Sequence, residues 1–186
     1  MKTRYPRALA LTVVRELLEA LTPVCERVIV AGSLRRKKPT VGDVELLYIP
    51  KSEMRGVPGD LFASARVDLA DLAIRDMLAA EVLALRPGEN GCTSFGPKNK
   101  LLLHVKTGLP VDLFSTTEAS WHNYLVCRTG SKESNMRIAE SARAKGWRWN
   151  PYGSGFTGPN GATHSVDSER AVFDFVGLPY LEPSAR

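Results

Sequence analysis

Residues 28–49 read VIVAGSLRRKKPTVGDVELLYI, and they decide the fold. The apolar run at 28–31 predicts a buried strand that ends at Gly32-Ser33, and the run at 43–49 predicts a second strand. The basic run Arg35-Arg36-Lys37-Lys38 lies between them. The segment therefore predicts two strands of a small sheet, joined by a glycine turn and a basic connection.

Two carboxylates stand on the second of these strands. Asp43 and Glu45 are two residues apart, so both project from one face while their apolar neighbours point the other way. Unpaired, they would raise each other's pKa, and a divalent cation between them removes that penalty. Asp112 lies on another predicted strand and joins them if the two strands are neighbours. Oxygen ligands of this kind suit Mg²⁺ or Mn²⁺ shared with substrate phosphates.

The turn before the carboxylates adds a second element to the pattern. Gly32 lets a phosphate approach the backbone, where N–H groups and the Ser33 hydroxyl bind its oxygens, and Arg36 adds a charge-assisted donor. A lone Asp-x-Glu is more often a solvated strand face. A phosphate-binding turn beside a metal-binding strand is much more specific than either half.

The rest of the chain predicts an α+β protein with a boundary near residue 117. Residues 1–117 carry a small mixed sheet flanked by helices, and residues 118–186 form a smaller α-rich or α+β lobe. The predicted helices are 6–21, 67–83, 131–145 and 168–176; the further strands are 101–105 and 109–114; residues 86–100 predict a loop.

Composition bounds the partners and the compartment. The chain has 25 Lys and Arg against 20 Asp and Glu, and the excess centres on residues 35–38, which fits a polyanionic partner. Cys25, Cys92 and Cys127 lie far apart without metal-ligand spacing, which favours a reducing, cytoplasmic compartment. The apolar run at 8–11 is too short for an export signal or a membrane span.

Three segments of the first part together resemble a known superfamily. Gly32-Ser33-Leu34-Arg35-Arg36, Gly42-Asp43-Val44-Glu45 and Val111-Asp112-Leu113 resemble the signature of nucleotidyltransferases related to DNA polymerase beta. Thr129-Gly130-Ser131-Lys132-Glu133-Ser134-Asn135 resembles the nucleotide-binding turn and helix of family X DNA polymerases, and residues 173–180 resemble their C-terminal subdomain. The resemblance runs from about residue 28 to residue 183.

The resemblance implies a nucleotidyltransferase palm over 1–117 and a C-terminal nucleotide-binding, thumb-type α+β subdomain over 118–186. It implies two Mg²⁺ ions, with Mn²⁺ as a substitute, bound by the catalytic carboxylates Asp43, Glu45 and Asp112. The implied nucleotide-binding residues are Gly32, Ser33, Arg36, Gly42, Gly130, Ser131 and Asn135. The implied nucleic-acid contacts are Arg35, Lys37, Lys98, Lys100, Lys132 and Arg137.

The activity implied is that of a DNA-directed DNA polymerase that adds deoxynucleotides to a DNA 3′-hydroxyl. The substrates would be deoxynucleoside triphosphates and a primer-template or gapped DNA, as in gap filling during repair, with a monomeric protein and no membrane. The chain matches the minimal viral members, so no lyase activity is expected.

Three departures from the family pattern keep alternatives open. Glu45 replaces the commoner Asp; Cys127-Arg128 replaces an aromatic pair that helps to exclude ribonucleotides; Pro110 and Phe114 replace arginines that orient the third carboxylate in some relatives. We therefore expect Asp112 to be loosely held. A template-independent terminal or RNA nucleotidyltransferase and a non-catalytic nucleic-acid-binding module remain as alternatives. A drug-modifying or antitoxin-like nucleotidyltransferase would share the first lobe but would not explain the Thr129-Gly130-Ser131 turn and the C-terminal lobe.

Overall fold

The structure is a computed structural model that describes residues 3–57, 60–88 and 91–186, with only the backbone of 57 and 60–63. Its strands are β1 (Tyr5–Pro6), β2 (Cys25–Val30), β3 (Thr40–Val41), β4 (Val44–Pro50), β5 (Ser52–Val57), β6 (Asp60–Asp68), β7 (Leu83–Leu85), β8 (Asn99–His104), β9 (Leu109–Ser115), β10 (Arg148–Asn150), β11 (Gly155–Thr157) and β12 (Thr163–Ser165). Its α-helices are α1 (Arg7–Leu21), α2 (Gly32–Arg35), α3 (Leu69–Ala79), α4 (Trp121–Thr129), α5 (Lys132–Ala144) and α6 (Glu169–Val176).

A mixed sheet of five strands, in the order β2–β4–β9–β8–β7, lies at the centre of the first part of the chain. Strands β4 and β9 are parallel, and the other neighbours in this sheet are antiparallel. Apart from Glu45 and Asp112, the central strands β4 and β9 carry mostly apolar side chains on both faces, as strands covered on both sides do. The sheet therefore holds the side chains of β4 and β9 in fixed positions relative to each other.

The two faces of this sheet pack against different helices. One face, which includes Leu46 and Leu113, packs against apolar residues of α1 and α3. The other face, which includes Leu47 and Phe114, packs against α4 through Trp121 and its neighbours. Because side chains alternate along a strand, every second residue of β4 and β9 points towards α4.

The C-terminal part has its own apolar core. Helices α5 and α6 pack with α4 and with a three-stranded sheet in the order β10–β11–β12. Both helices begin at a serine that accepts a hydrogen bond from a backbone N–H, as good N-caps do: Ser131 from Ser134 at 3.4 Å and Ser168 from Ala171 at 3.1 Å. Gly177 ends α6 in the left-handed conformation, with φ 74°.

The predicted α+β class and the mixed sheet with flanking helices are confirmed. Two local predictions are wrong. The helix expected at 67–83 is shorter, because an antiparallel hairpin of β5 and β6 occupies residues up to Asp68, whose side chain caps α3. The loop expected at 86–100 gives way to β8 at Asn99. The division at residue 117 stays a prediction.

No helix in the described ranges combines the length and the apolar character needed to cross a lipid bilayer.

Candidate active site

The sheet register brings two of the predicted carboxylates side by side. Glu45 on β4 pairs with Asp112 on the parallel strand β9, so both side chains point towards α4 from adjacent strands. Asp43 directly precedes β4, and Gly42, which is buried, lies between β3 and Asp43. The register therefore sets Glu45 beside Asp112 at the centre of the sheet, with Asp43 two residues before Glu45.

Glu45 shows how closely these charges interact. Burial, the neighbouring Asp43 and, to a smaller extent, Asp112 raise the pKa of Glu45 from 4.5 to about 7. The guanidinium groups of Arg128 and Arg36 oppose the shift. Near neutral pH, the Glu45 carboxyl group is therefore partly protonated. A cation bound beside it would favour its ionised form.

Gly32 makes room for the Glu45 side chain. Its φ is +60°, and a Cβ built on it would lie 2.9 Å from Glu45 Cδ and closer still to Oε2. Glycine is therefore required here twice, for the left-handed backbone and for the close approach of the carboxylate.

The predicted phosphate turn holds two polar atoms without partners. Ser33 Oγ and Arg36 Nε are buried and have no hydrogen-bond partner among the described residues. Arg36 Nη1 donates to the backbone carbonyl of Thr129, which precedes the second glycine turn. Burial lowers the pKa of Arg36, although Glu45, Glu133 and Asp43 act against this. Orphaned buried donors are costly, so this turn is suited to an anionic ligand that supplies acceptors.

The nucleotide-binding residues predicted in the second part lie against the same turn. Gly130 has φ +65°, and a Cβ built there would lie 3.0 Å from Arg36 Nη1. Ser131 caps α5, and the amide of Asn135 donates to Cys127 O at 2.8 Å while its Oδ1 is buried without a hydrogen-bond partner among the described residues. The Gly130-Ser131 turn and the Gly32-Ser33 turn are therefore joined through Arg36.

The donor set fits a divalent cation by its chemistry. Carboxylate oxygens are hard ligands, and a cation would offset both the burial and the neighbouring charges that raise the pKa of Glu45. Within the described ranges, however, no three acidic, cysteine or histidine side chains are arranged to hold a metal ion. The carboxylate of Glu45 lies over Gly32, so the ligand types are present but are not gathered around one point.

Asp112 is not loosely held, which corrects the expectation drawn from Pro110 and Phe114. Arg86 Nη2 donates to Asp112 Oδ1, and the two side chains are 24% and 14% exposed. Arg86 lies just after β7, in a stretch predicted to be a loop, and no sequence pattern indicates its contact with Asp112.

Two residues that were predicted to contact nucleic acid bind carboxylates of this chain instead. Lys100 is 1% exposed, with its Nζ 3.2 Å from Asp71 Oδ1, so a backbone phosphate cannot reach it and the prediction is wrong for this residue. Arg35 Nη2 lies 2.5 Å from Glu169 Oε1, and Arg35 Nη1 donates to Thr129 Oγ1 at 2.6 Å. Arg35 therefore joins α2 to α4 and α6, which argues against a contact with nucleic acid.

The other predicted contacts are exposed. Lys37, Lys98, Lys132 and Arg137 have exposed side chains. Lys98 also lines a cavity of about 570 Å³, together with Tyr124, Arg128 and Tyr152. That cavity has cationic and aromatic walls, a combination that suits a nucleic-acid strand.

Arg128 was identified in the sequence only as a departure from the family pattern. Its guanidinium lies 3.5 Å from the ring centroid of Phe114, its Nη2 donates to the Tyr124 hydroxyl at 3.3 Å, and its Nε is buried without a partner among the described residues. It also lowers the pKa of Glu45. Burial raises the pKa of the neighbouring Cys127 thiol to about 11, so that thiol stays protonated.

Comparisons with known proteins agree with this geometry. The family model for the DNA polymerase beta thumb matches residues 124–186. The DNA polymerase/3'-5' exonuclease PolX of Bacillus subtilis (strain 168) is 29% identical over 186 residues, which is 98% of this chain and 28% of that protein. DNA polymerase lambda of Arabidopsis thaliana is 27% identical over 212 residues, covering all of this chain and 37% of that protein. The chain thus spans less than two fifths of the length of each of these relatives.

Among solved structures, polymerase beta of Leishmania infantum, in a ternary P/T complex, matches with a TM-score of 0.71 and 20% identity. The match covers 99% of this chain and 77% of that one. The fold is therefore that of polymerase beta. Together with the match of residues 124–186 to the thumb model and the two curated relatives, the fold shows that this chain is similar to family X DNA polymerases.

Proposed function

We propose that this chain is a DNA-directed DNA polymerase of family X type that adds deoxynucleotides to a DNA 3′-hydroxyl. The observation that carries the proposal is the register of β4 and β9, which sets Glu45 beside Asp112, two residues from Asp43 and next to the orphaned donors of the phosphate turn. A site with paired carboxylates and unpaired phosphate donors suits nucleotidyl transfer.

In this proposal each residue has a separate task. Ser33 and Arg36 hold the β- and γ-phosphates of the incoming nucleotide, and Gly130, Ser131 and Asn135 form the wall beside its sugar. Asp43, Glu45 and Asp112 hold two Mg²⁺ ions, which when bound acidify the 3′-hydroxyl and neutralise the leaving pyrophosphate.

The proposed reaction forms one bond to phosphorus and breaks another. The primer 3′-oxygen forms a bond to the α-phosphorus, and the bond from that phosphorus to the pyrophosphate oxygen breaks. The proton of the 3′-hydroxyl passes to the Asp112 carboxylate, and the negative charge leaves with pyrophosphate. Arg36 and Ser33 retain the pyrophosphate oxygens until the product dissociates.

The DNA is held by exposed cations around the site. Lys98, Arg128 and Tyr152 line one cavity, and the exposed residues Lys37, Lys132 and Arg137 add positive charge on the surface. Binding that rests on such contacts weakens as salt rises, because released counterions supply much of its free energy. Gap filling in DNA repair is the role that we propose for this activity.

The test is extension of a labelled primer with each deoxynucleotide and each ribonucleotide, on one-nucleotide gapped DNA and on single-stranded DNA. We expect insertion of the complementary deoxynucleotide on gapped DNA. Equal addition to single-stranded DNA, without regard to sequence, would instead identify a terminal transferase. No addition to any substrate by folded protein would refute the proposal and favour a nucleic-acid-binding module.

The terminal or RNA nucleotidyltransferase is the second candidate because of one observation. Arg128 places a cation, stacked on Phe114, beside Glu45 and the cavity, where the family pattern has an aromatic side chain. The Arg128 guanidinium can donate a hydrogen bond to the oxygen of a ribose hydroxyl, which an aromatic side chain such as Phe cannot do. Comparison of ribonucleotide and deoxynucleotide insertion by the wild type and Arg128→Phe separates the two candidates.

A further inference from the structure

Asp112 accepts a hydrogen bond from a residue outside its own strand. Its neighbours on the same face of β9 are Pro110 and Phe114, and neither side chain donates a hydrogen bond. Asp112 pairs in register with Leu101 on the other side, which is apolar as well. None of these three side chains can donate a hydrogen bond to the Asp112 carboxylate.

Arg86 supplies that donor from across strand β8. Its backbone N–H donates to Leu101 O at 3.1 Å, and its side-chain Nε donates to Leu102 O at 3.0 Å. The guanidinium is therefore fixed to the backbone of β8, and its Nη2 reaches Asp112 Oδ1 on β9. An arginine fixed at two points presents its remaining donors in one direction, since the guanidinium is planar and rigid.

We propose that Arg86 is the positioning residue of the active site: it holds Asp112 through Oδ1, so that the carboxylate keeps its orientation towards the metal ion and the 3′-hydroxyl. The role of Asp112 in this inference rests on the proposed function, whereas the contact between Arg86 and Asp112 is independent of it. Outer-shell partners of metal-binding carboxylates have this effect generally, and their loss costs about 10- to 100-fold in metal affinity or activity.

A purely electrostatic role for Arg86 gives the opposite result. If the arginine only neutralised Asp112, its removal would take a positive charge away from the cation's place and Mn²⁺ would bind more tightly. If Arg86 positions Asp112, its removal lets the carboxylate turn away and Mn²⁺ binds more weakly. The direction of the change in affinity therefore separates the two roles.

The experiment measures Mn²⁺ binding to the whole chain by electron paramagnetic resonance, and single-turnover insertion on gapped DNA, for Arg86→Met and Arg86→Lys. The matched control is Arg75→Met, which removes an arginine from an exposed ion pair with Asp71 on α3. We expect Arg86→Met to weaken Mn²⁺ binding about 10-fold or more and to lower the insertion rate by about 10- to 100-fold, with the nucleotide KM little changed.

Arg86→Lys should recover part of both losses, because a lysine can reach Asp112 but cannot also bind Leu102 O, and Arg75→Met should match the wild type. Unchanged or tighter Mn²⁺ binding by Arg86→Met overturns the inference, as does a wild type that binds no Mn²⁺. If Arg86→Met does not fold, the test is Arg86→Lys alone. The inference then requires this variant to bind Mn²⁺ more weakly than the wild type. A wild type that binds Mn²⁺ but extends no primer refutes the proposed polymerase, while the Mn²⁺ comparison still tests Arg86.

Discussion

Gly32→Ala tests how tightly the phosphate turn and the carboxylates are packed. The new Cβ would lie 2.9 Å from Glu45 Cδ and closer to Oε2, well inside normal contact, so the carboxylate has to move. A shift of about 1 Å at a catalytic group costs about 100-fold in rate. The left-handed backbone at φ +60° adds about 1–2 kcal/mol of destabilisation for a residue with a Cβ.

Gly108→Ala separates these two effects. Gly108 has φ +66°, and a Cβ built there meets no atom within 4 Å, so this variant has the same backbone cost without the clash. Urea unfolding should show a loss of about 1–2 kcal/mol in both variants. Single-nucleotide insertion on gapped DNA should fall about 100-fold in Gly32→Ala alone. Full activity in Gly32→Ala, at the stability of Gly108→Ala, would refute the argument that Glu45 is packed on this glycine.

Three further predictions concern pH, stability and DNA binding. Folding raises the pKa of Glu45 from 4.5 to about 7, so this group stabilises the fold below its unfolded pKa and loses that effect as pH rises through about 7. In urea unfolding without metal, the wild type should therefore lose stability between about pH 5 and about pH 8. The loss should be smaller in Glu45→Gln, which has no carboxyl group to titrate. Arg35→Met should lower the free energy of unfolding by about 2 kcal/mol, because it removes one of two cations that bind the mostly buried Glu169, Arg186 being the other. Lys132→Ala should weaken DNA binding and reduce the slope of log K against log salt by about 1.

Each of these has a result that contradicts it. An identical pH dependence in Glu45→Gln would show that the raised pKa of this carboxyl does not exist in solution. Unchanged unfolding in urea for Arg35→Met would show that the ion pair does not stabilise the contact between α2 and α6. A DNA affinity that is the same at low and high salt would show that the exposed basic residues do not contribute to DNA binding.

The carboxylates were predictable because strand patterns have a strict period. Alternation places Asp43 and Glu45 on one face, and a second apolar strand around Asp112 indicates a neighbour in the same sheet. The parallel register that opposes Glu45 to Asp112 follows from the fold, and a sequence pattern does not specify it. The site residues themselves stay predictions until they are changed and assayed.

The supporting contacts were not predictable from local patterns. Arg86 follows a strand of three residues in a stretch rich in glycine and proline, so no periodic signal marks it. Arg35 pairs with Glu169, 134 residues away along the chain, and basic runs carry no sign of such a partner. Lys100 is different: it alternates with Leu102 and His104 along β8, and that pattern of two places it on the buried face.

The most direct test of the account is insertion of one complementary deoxynucleotide into gapped DNA by the wild type and Asp112→Asn, with Mg²⁺ present. The control is Asp76→Asn, which changes an exposed carboxylate on α3. We expect the wild type and Asp76→Asn to insert the nucleotide at equal rates and Asp112→Asn to be slower by at least about 100-fold while remaining folded. Equal insertion by Asp112→Asn would contradict the assignment of the active site to the carboxylates of β4 and β9.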